Sequence, residues 1–132
     1  MQNAEWVVVV KENIILDKSF DFSVRIVNLY KYLCSEKKEY IMSKQLLRCG
    51  TSIGANANEA ANGQSSRDFL AKMYIAYKEA SETEYWLRLL LRTGYLTKKQ
   101  GESILSDCVE IKKILTAIIK TLKLNEEGGK RK

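Results

Sequence analysis

The fold is decided by residues 98–124, which read KKQGESILSDCVEIKKILTAIIKTLKL. The apolar positions of this stretch recur at alternating spacings of four and three residues: Ile104, Cys108, Ile111, Leu115, Ile118 and Leu122. Side chains at this spacing form one stripe along an α-helix, and the alternation is typical of helices packed in a left-handed bundle. Thr97 and Gln100 form a capping box, which predicts that the helix begins at residue 98.

Three further helices are predicted before this one, over residues 18–37, 42–62 and 66–93. Two of them carry apolar stripes of the same kind, Phe22, Ile26, Leu29 and Leu33 in the first and Phe69, Met73, Ala76, Ala80, Thr83, Leu87 and Leu90 in the third. Ser65 with Asp68 resembles a capping box, and Gly94 ends the third helix. Because the links are short, we predict an all-α, antiparallel up-down-up-down four-helix bundle over residues 17–124.

The segments that flank the bundle differ from it in composition. Residues 1–16 contain the apolar run Trp6–Val10, and β-branched residues favour an extended chain. We therefore expect a short extended N-terminal arm over residues 1–16. Residues 125–132 include the run Gly128–Lys132, and we expect a disordered basic tail there.

The composition excludes several classes of enzyme. The 132 residues include no histidine, so a Ser-His-Asp triad, a Cys-His pair and a His-ligated zinc site are all excluded. Cys34, Cys49 and Cys108 match neither a disulfide framework nor a metal-binding motif, and buried reduced thiols indicate a cytoplasmic protein. No apolar run is long enough to span a membrane or to form a signal peptide. We expect no catalytic residue, no metal and no cofactor.

The second predicted helix has one face of small residues, Gly50, Gly54, Ala57 and Ala61. A glycine inside a helix costs about 1 kcal/mol relative to alanine, so close approach of another helix is the natural compensation. The small residues Ala76, Ala80 and Thr83 of the third helix are the expected partner.

Two polar groups are candidates for a network within the chain or between subunits. The second helix carries the stripe Arg48, Ser52, Asn56 and Glu59, and the third carries Glu79, Glu82 and Trp86 with Asp68 on the same side. The stripe is either a contact surface or an ordinary solvated face. The paired carboxylates suit acid–base chemistry or a metal, but ion pairing with Arg48 and Lys72 is the simpler interpretation.

Two basic faces are candidates for binding nucleic acid, since the net charge is +6. The last helix carries Lys98, Lys99, Lys112, Lys113, Lys120 and Lys123, with Glu102 among them. The third helix interleaves basic and aromatic residues on one face: Arg67, Tyr74, Tyr77, Lys78, Ser81, Tyr85, Arg88 and Arg92. Lysines suit phosphates and tyrosines suit bases. The same residue types also suit a protein interface or a plain surface.

The second and third helices resemble a known bacterial four-helix-bundle family. Its second-helix pattern matches Gln45, Leu46, Arg48, Ser52, Ile53, Asn56 and Glu59, and a second match runs from Asp68–Phe69 to Glu79–Leu87. The family is named for proteins encoded in intervening sequences of the large-subunit ribosomal RNA gene and is also called the S23 ribosomal protein family. The resemblance implies a homo-oligomer, a pentameric ring, without catalytic activity. A related branch, the accessory protein of diversity-generating retroelements, binds nucleic acid and a reverse transcriptase.

These observations favour a non-enzymatic, self-associating module that binds nucleic acid, foremost RNA, with low sequence specificity. The alternative is a protein-interaction scaffold or an accessory protein, for example to a reverse transcriptase, with no nucleic-acid role of its own. The placement of the lysines distinguishes nucleic-acid binding from a scaffold role. Lysines of the last helix that point outward together favour nucleic acid, whereas lysines that are dispersed or buried at subunit contacts favour the scaffold. We expect the chain itself, RNA or DNA, and a protein as partners, and no membrane.

Overall fold

Long helices are possible because no proline interrupts the chain. The structure, a computed structural model, describes the backbone of residues 4–131 and the side chains of residues 11–125. Within these residues the helices are α1 (Ala4–Ser35), α2 (Met42–Ala61), α3 (Ser66–Arg92) and α4 (Lys98–Arg131). Each helix packs against its neighbours in sequence, and α4 closes the ring against α1. The predicted antiparallel four-helix bundle is thus confirmed.

The core lies along the predicted apolar stripes. Side chains of all four helices are fully buried in it, for example Phe22, Ile53, Leu87 and Leu115. Leu122, at the end of the α4 stripe, is only half-buried. Two ion pairs on the surface join α1 to α4, Lys18 with Glu110 at 2.8 Å and Arg25 with Asp107 at 2.6 Å.

The predicted helix ends are confirmed by their capping bonds. The Oγ of Ser65 accepts a hydrogen bond from the backbone N of Asp68 at 3.1 Å. Thr97 and Gln100 bond each other in both directions, at 3.0 and 3.1 Å. Gly94 has a φ of +86°, in the left-handed region that favours glycine after a helix.

The N-terminal arm predicted for residues 1–16 is wrong from Ala4 onward, because α1 already begins there. Residues 1–3 lie outside the described residues. Valine costs only some tenths of a kcal/mol in a helix, and burial of Ile15 in the core favours extending α1 toward the N-terminus. The helical pattern of the bundle therefore overrides the local preference of the valines.

The disordered tail predicted for residues 125–132 is wrong up to Arg131, where α4 ends. Lys132 lies outside the described residues. Once a long helix is nucleated, each added residue gains a hydrogen bond, so it continues even through residues of poor propensity such as Gly128 and Gly129.

The two glycines of the small face of α2, Gly50 and Gly54, have their nearest neighbours on α1, which corrects the α3 partner expected from the sequence, whereas Ala61 is exposed. A Cβ added at Gly50 would lie 2.8 Å from Cγ1 of Ile26, and one at Gly54 would lie 3.2 Å from the carbonyl oxygen of Ser19. Both contacts are on α1. Spacing along α2 identifies the smooth face, but it does not specify which neighbour lies against it.

The N-terminus of α2 is capped by a residue that the sequence patterns do not indicate, Glu39. Its carboxylate accepts hydrogen bonds from the backbone N of Ile41, Met42 and Ser43, at 3.1, 3.1 and 2.8 Å. Burial by itself would raise the pKa of Glu39, but these bonds outweigh it and lower the pKa. Glutamate is not among the preferred N-cap residues, so local patterns do not reveal this cap.

Candidate nucleic-acid interface

Arg48 joins α2 to α3 through two carboxylates. Its guanidinium lies 3.4 Å from Glu79 and 2.5 Å from Glu82, both on α3. The hydrogen bond to Glu82 raises the pKa of Arg48. The same bond, with one from the Trp86 indole, lowers the pKa of Glu82. Arg48 and Glu82 are therefore both charged at neutral pH, and Glu82 is held in an ion pair instead of being poised for proton transfer.

The network continues along α3 to two aromatic rings. Nε1 of Trp86 donates a hydrogen bond to Glu82 at 3.1 Å. The Tyr85 ring packs edge to face against Trp86, with ring centres 5.3 Å apart and an interplanar angle of 79°. Arg48, Glu82, Trp86 and Tyr85 therefore form one connected chain, which we call the Arg48–Tyr85 chain. It fixes the orientation of an aromatic ring that is itself exposed.

The remaining residues of the α2 stripe make separate contacts. Nδ2 of Asn56 donates to the backbone oxygen of Ser52 at 2.8 Å, and Glu59 pairs with Lys72 at 2.9 Å. Lys72 thus pairs with Glu59 on α2. The sequence had suggested the α3 carboxylates Glu79 and Glu82 as its partners, and for Lys72 that expectation is wrong. Asp68 acts at the helix start through its backbone, so it stands apart from the network.

The two basic faces predicted from the sequence meet where α3 packs against α4. Nζ of Lys112 lies 2.8 Å from Glu84 and 5.4 Å from the centre of the Tyr77 ring. Nζ of Lys123 lies 5.4 Å from the centre of the Tyr74 ring. We call this shared face the α3–α4 surface. The residues that define it are Tyr74, Tyr77, Tyr85, Arg88, Arg92, Glu102, Lys112, Lys113 and Lys123.

The other lysines of the α4 set are exposed on the same helix. Lys98, Lys99, Lys113 and Lys120 are all open to solvent, and none forms an ion pair with a described carboxylate. Lys113 lines a surface depression with Tyr77 and Lys112. Lys112 differs from the rest, because its pairing with Glu84 raises its pKa and holds it against the protein.

A second depression, of about 530 Å³, lies toward the α3–α4 turn. Tyr85, Arg88 and Arg92 line it from α3, and Glu102 and Leu105 line it from α4. The helices approach closely here, because an added Cβ at Gly101 would lie 2.7 Å from Cδ1 of Leu91. Glu102 follows that glycine directly and lines the same depression as Arg88 and Arg92.

Two acidic residues that lie among these cations, Glu84 and Glu102, are not predicted from the sequence as part of a site. Glu84 is recognisable only once α4 is placed beside α3, because Lys112 is 28 positions away. Glu102 is visible in the sequence only as a break in the row of lysines. No local pattern signals either contact.

The buried thiols are unsuited to nucleophilic chemistry. Burial raises the pKa of Cys108 to about 12 and also raises that of Cys49. Among the side chains of residues 11–125, no three potential ligands from His, Cys, Asp or Glu lie close enough to hold a metal ion. Over the same part of the chain, no helix combines the length and apolar content needed to cross a membrane.

Comparison with known proteins assigns the chain to a family. Residues 11–117 match the 23S rRNA-intervening sequence protein family. A crystal structure at 1.70 Å of a protein of unknown function from the S23 ribosomal protein family of Bacteroides thetaiotaomicron VPI-5482 is 61% identical to this chain. The match covers 83% of this chain and 98% of that one, with a TM-score of 0.82. A search of curated proteins finds no match. The chain therefore belongs to the 23S rRNA-intervening sequence protein family.

Proposed function

We propose that the chain is a non-enzymatic module that binds RNA through the α3–α4 surface. The observation that carries this proposal is the meeting of two basic faces where α3 packs against α4, with Lys112 over Tyr77 and Lys123 over Tyr74. Each face alone also suits a plain surface, but together they offer exposed lysines for phosphates, such as Lys113 and Lys120, and the exposed Tyr85 ring for a base. The family name, which refers to 23S rRNA, agrees with RNA as the ligand.

Binding would depend mainly on charge. Exposed lysines such as Lys113 and Lys120 neutralise phosphates without reading the sequence, and the release of counterions drives association. The exposed ring of Tyr85 accepts any base by stacking alone, because every base has a face that stacks. We therefore expect low sequence specificity and a steep fall of affinity with salt.

The absence of catalysis belongs to the same proposal. The sequence holds no histidine. The carboxylates Glu79 and Glu82 are held by Arg48, and the thiols of Cys49 and Cys108 have raised pKa values. These groups stabilise helix packing, which leaves surface binding as the function best supported.

Self-association is the second element of the proposal. Phe20 and Val24 lie one turn apart on α1 and are 69% and 47% exposed. A large apolar pair open to water is typical of an interface, and α1 lies diagonally opposite α3 in the ring of helices. Copies joined through α1 leave their α3–α4 surfaces open, so several weak surfaces act together with avidity. The family resemblance favours a pentameric ring, in which the α1 face of each copy packs against a different face of its neighbour, because rings are closed by heterologous contacts.

Fluorescence anisotropy with labelled single-stranded RNA, single-stranded DNA and an RNA duplex tests the proposal. Each titration is repeated at several salt concentrations, on protein whose mass in solution is measured in parallel. We expect binding whose log affinity falls linearly with log salt, with RNA bound at least as tightly as DNA. Failure to bind any of them at about 50 mM salt would overturn the nucleic-acid proposal.

A protein scaffold is the alternative, favoured by the exposed Tyr85 with Arg88 and Arg92 beside it. Tyrosine and arginine are enriched in protein interfaces, and a polymerase-type partner such as a reverse transcriptase is the candidate suggested by the family resemblance. Under this alternative, the wild-type chain fails the anisotropy test, and substitutions of Tyr85 or Arg88 disrupt a complex with that partner.

A further inference from the structure

The depression between α3 and α4 differs in chemistry from the rest of the α3–α4 surface. It is open to solvent and has a volume of about 530 Å³. It combines an exposed aromatic ring, two cations, an apolar floor and one carboxylate. A surface that only neutralises phosphate has no use for a carboxylate, since it repels the backbone.

The two cations and the aromatic ring lie on the same side of α3. Tyr85, Arg88 and Arg92 are three and four residues apart, which places them on one face of the helix. Both arginines lie on the C-terminal side of Tyr85, so the phosphates that continue the strand in one direction from a base bound at Tyr85 would meet them in turn. No ion pair joins Arg88 or Arg92 to a described carboxylate, so both remain available.

Tyr85 is held ready for stacking by the Arg48–Tyr85 chain. The Trp86 ring meets it edge to face, and Trp86 is fixed by Glu82, which is fixed in turn by Arg48. Tyr85 is 58% exposed, so a base can reach its ring from solvent. Unpaired RNA bases bind in this manner, splayed out and stacked on aromatic side chains.

Glu102 decides which base fits. A carboxylate only accepts hydrogen bonds and offers two oxygens side by side. The Watson–Crick edge of guanine presents two adjacent donors, N1–H and the N2 amino group, whereas adenine, cytosine and uracil each present one donor group on that edge. No ion pair joins Glu102 to a lysine or arginine among the described residues, so both oxygens are open to a base.

We infer that this depression binds one unpaired guanine of a single-stranded RNA, stacked on Tyr85 and bonded through its Watson–Crick edge to Glu102, with the phosphates on one side of that guanine on Arg88 and Arg92. This inference rests on the proposed RNA-binding function and adds base preference to it. Arg48, Glu82 and Trp86 are positioning residues for the stacking ring.

Labelled uridine hexamers that carry a single internal guanine, adenine or cytosine test the inference, with the all-uridine hexamer as reference. We expect the guanine hexamer to bind at least about tenfold tighter than the others, the discrimination of a good bidentate contact. Glu102→Gln should reduce this preference to within about twofold while leaving uridine binding as strong or stronger. Glu36→Gln, which removes an exposed carboxylate from the end of α1, is the matched control and should change nothing.

Tyr85 variants separate stacking from folding. Tyr85→Leu should weaken the guanine hexamer several-fold, and Tyr85→Phe should restore it, because the ring and not the hydroxyl makes the contact. Arg48→Gln should reduce guanine preference partway, with circular dichroism unchanged.

Four outcomes overturn the inference in distinguishable ways. Salt-dependent binding of all hexamers without a guanine preference contradicts the pocket but leaves the proposed function standing. A guanine preference that survives Glu102→Gln contradicts the role of the carboxylate. If free guanosine monophosphate competes as strongly as the guanine hexamer, the depression is a site for a mononucleotide and not for RNA. Failure of every hexamer to bind contradicts the pocket and the proposed function together.

Discussion

Gly50 on α2 lies directly against the side chain of Ile26 on α1, so that an added Cβ would come within 2.8 Å of Cγ1. Ile26 is fully buried and has no free space to move into. The close approach of α1 and α2 therefore depends on the missing side chain, which offsets the cost of a glycine inside a helix.

Substituting Gly50→Leu should lower the free energy of unfolding by about 1–3 kcal/mol, the usual cost of overpacking a core. Thermal denaturation followed by circular dichroism should show the melting temperature falling by about 4 °C or more. Ala55→Leu places the same side chain on the exposed side of α2 and is the matched control. Equal melting temperatures for the two variants would contradict this account of helix contact.

Substituting Glu39→Gln should weaken the cap of α2 and lower stability at pH 7 by about 1 kcal/mol. Because the folded-state pKa of Glu39 lies below its ordinary value of 4.5, its charge stabilises the fold above that pH. The benefit disappears as pH falls through the folded-state pKa. Urea midpoints at pH 7 and pH 3 should therefore differ less in the variant than in the wild type. An unchanged difference would contradict the capping role.

Substituting Arg48→Gln should cost less than about 1 kcal/mol, because its guanidinium is half exposed and exposed ion pairs contribute little. The larger effect should be local: without Arg48, the pKa of Glu82 rises toward its ordinary value and Trp86 loses a fixed partner. Tryptophan fluorescence in a Trp6→Phe background reports this change. Arg67→Gln is the control, and an identical spectrum for both variants would contradict the positioning chain.

Substituting Phe20→Asp should reduce the mass of the particle in solution, because it places a charge in the proposed self-association face on α1. Sedimentation or light scattering measures this mass directly. Ile41→Asp alters an apolar residue that is even more exposed, at 78%, but lies in the α1–α2 turn, so its mass should equal that of wild type. A Phe20→Asp protein of unchanged mass would place the interface elsewhere.

The bundle was predictable because periodicity repeats over many residues. The α4 stripe from Ile104 to Ile118 and the capping bonds at Thr97 and Ser65 emerge where the spacing indicates. The ends were not predictable in the same way. Taken by themselves, the valines of the N-terminal run favour a strand. In the structure α1 extends through them as part of a longer helix.

The candidate site was predictable only in its parts. Each basic face follows from the spacing along a single helix, but their meeting depends on how α3 and α4 rotate about their axes. The contacts between Lys112 and Glu84 and between Arg48 and Glu82 join residues far apart in the chain. The sequence supplies both partners of each pair without specifying the pairing.

The central claim, that RNA binds along the α3–α4 surface, is tested most directly by two variants of equal charge. Lys113→Gln with Lys120→Gln removes two exposed lysines from α4, and Lys31→Gln with Lys44→Gln removes two from α1 and α2. Anisotropy with single-stranded RNA is measured against salt concentration. We predict that the α4 variant loses affinity and that its salt slope falls by about 1.4, whereas the control keeps the wild-type slope. Equal losses in both variants would contradict a localised surface and leave only the net charge to account for binding.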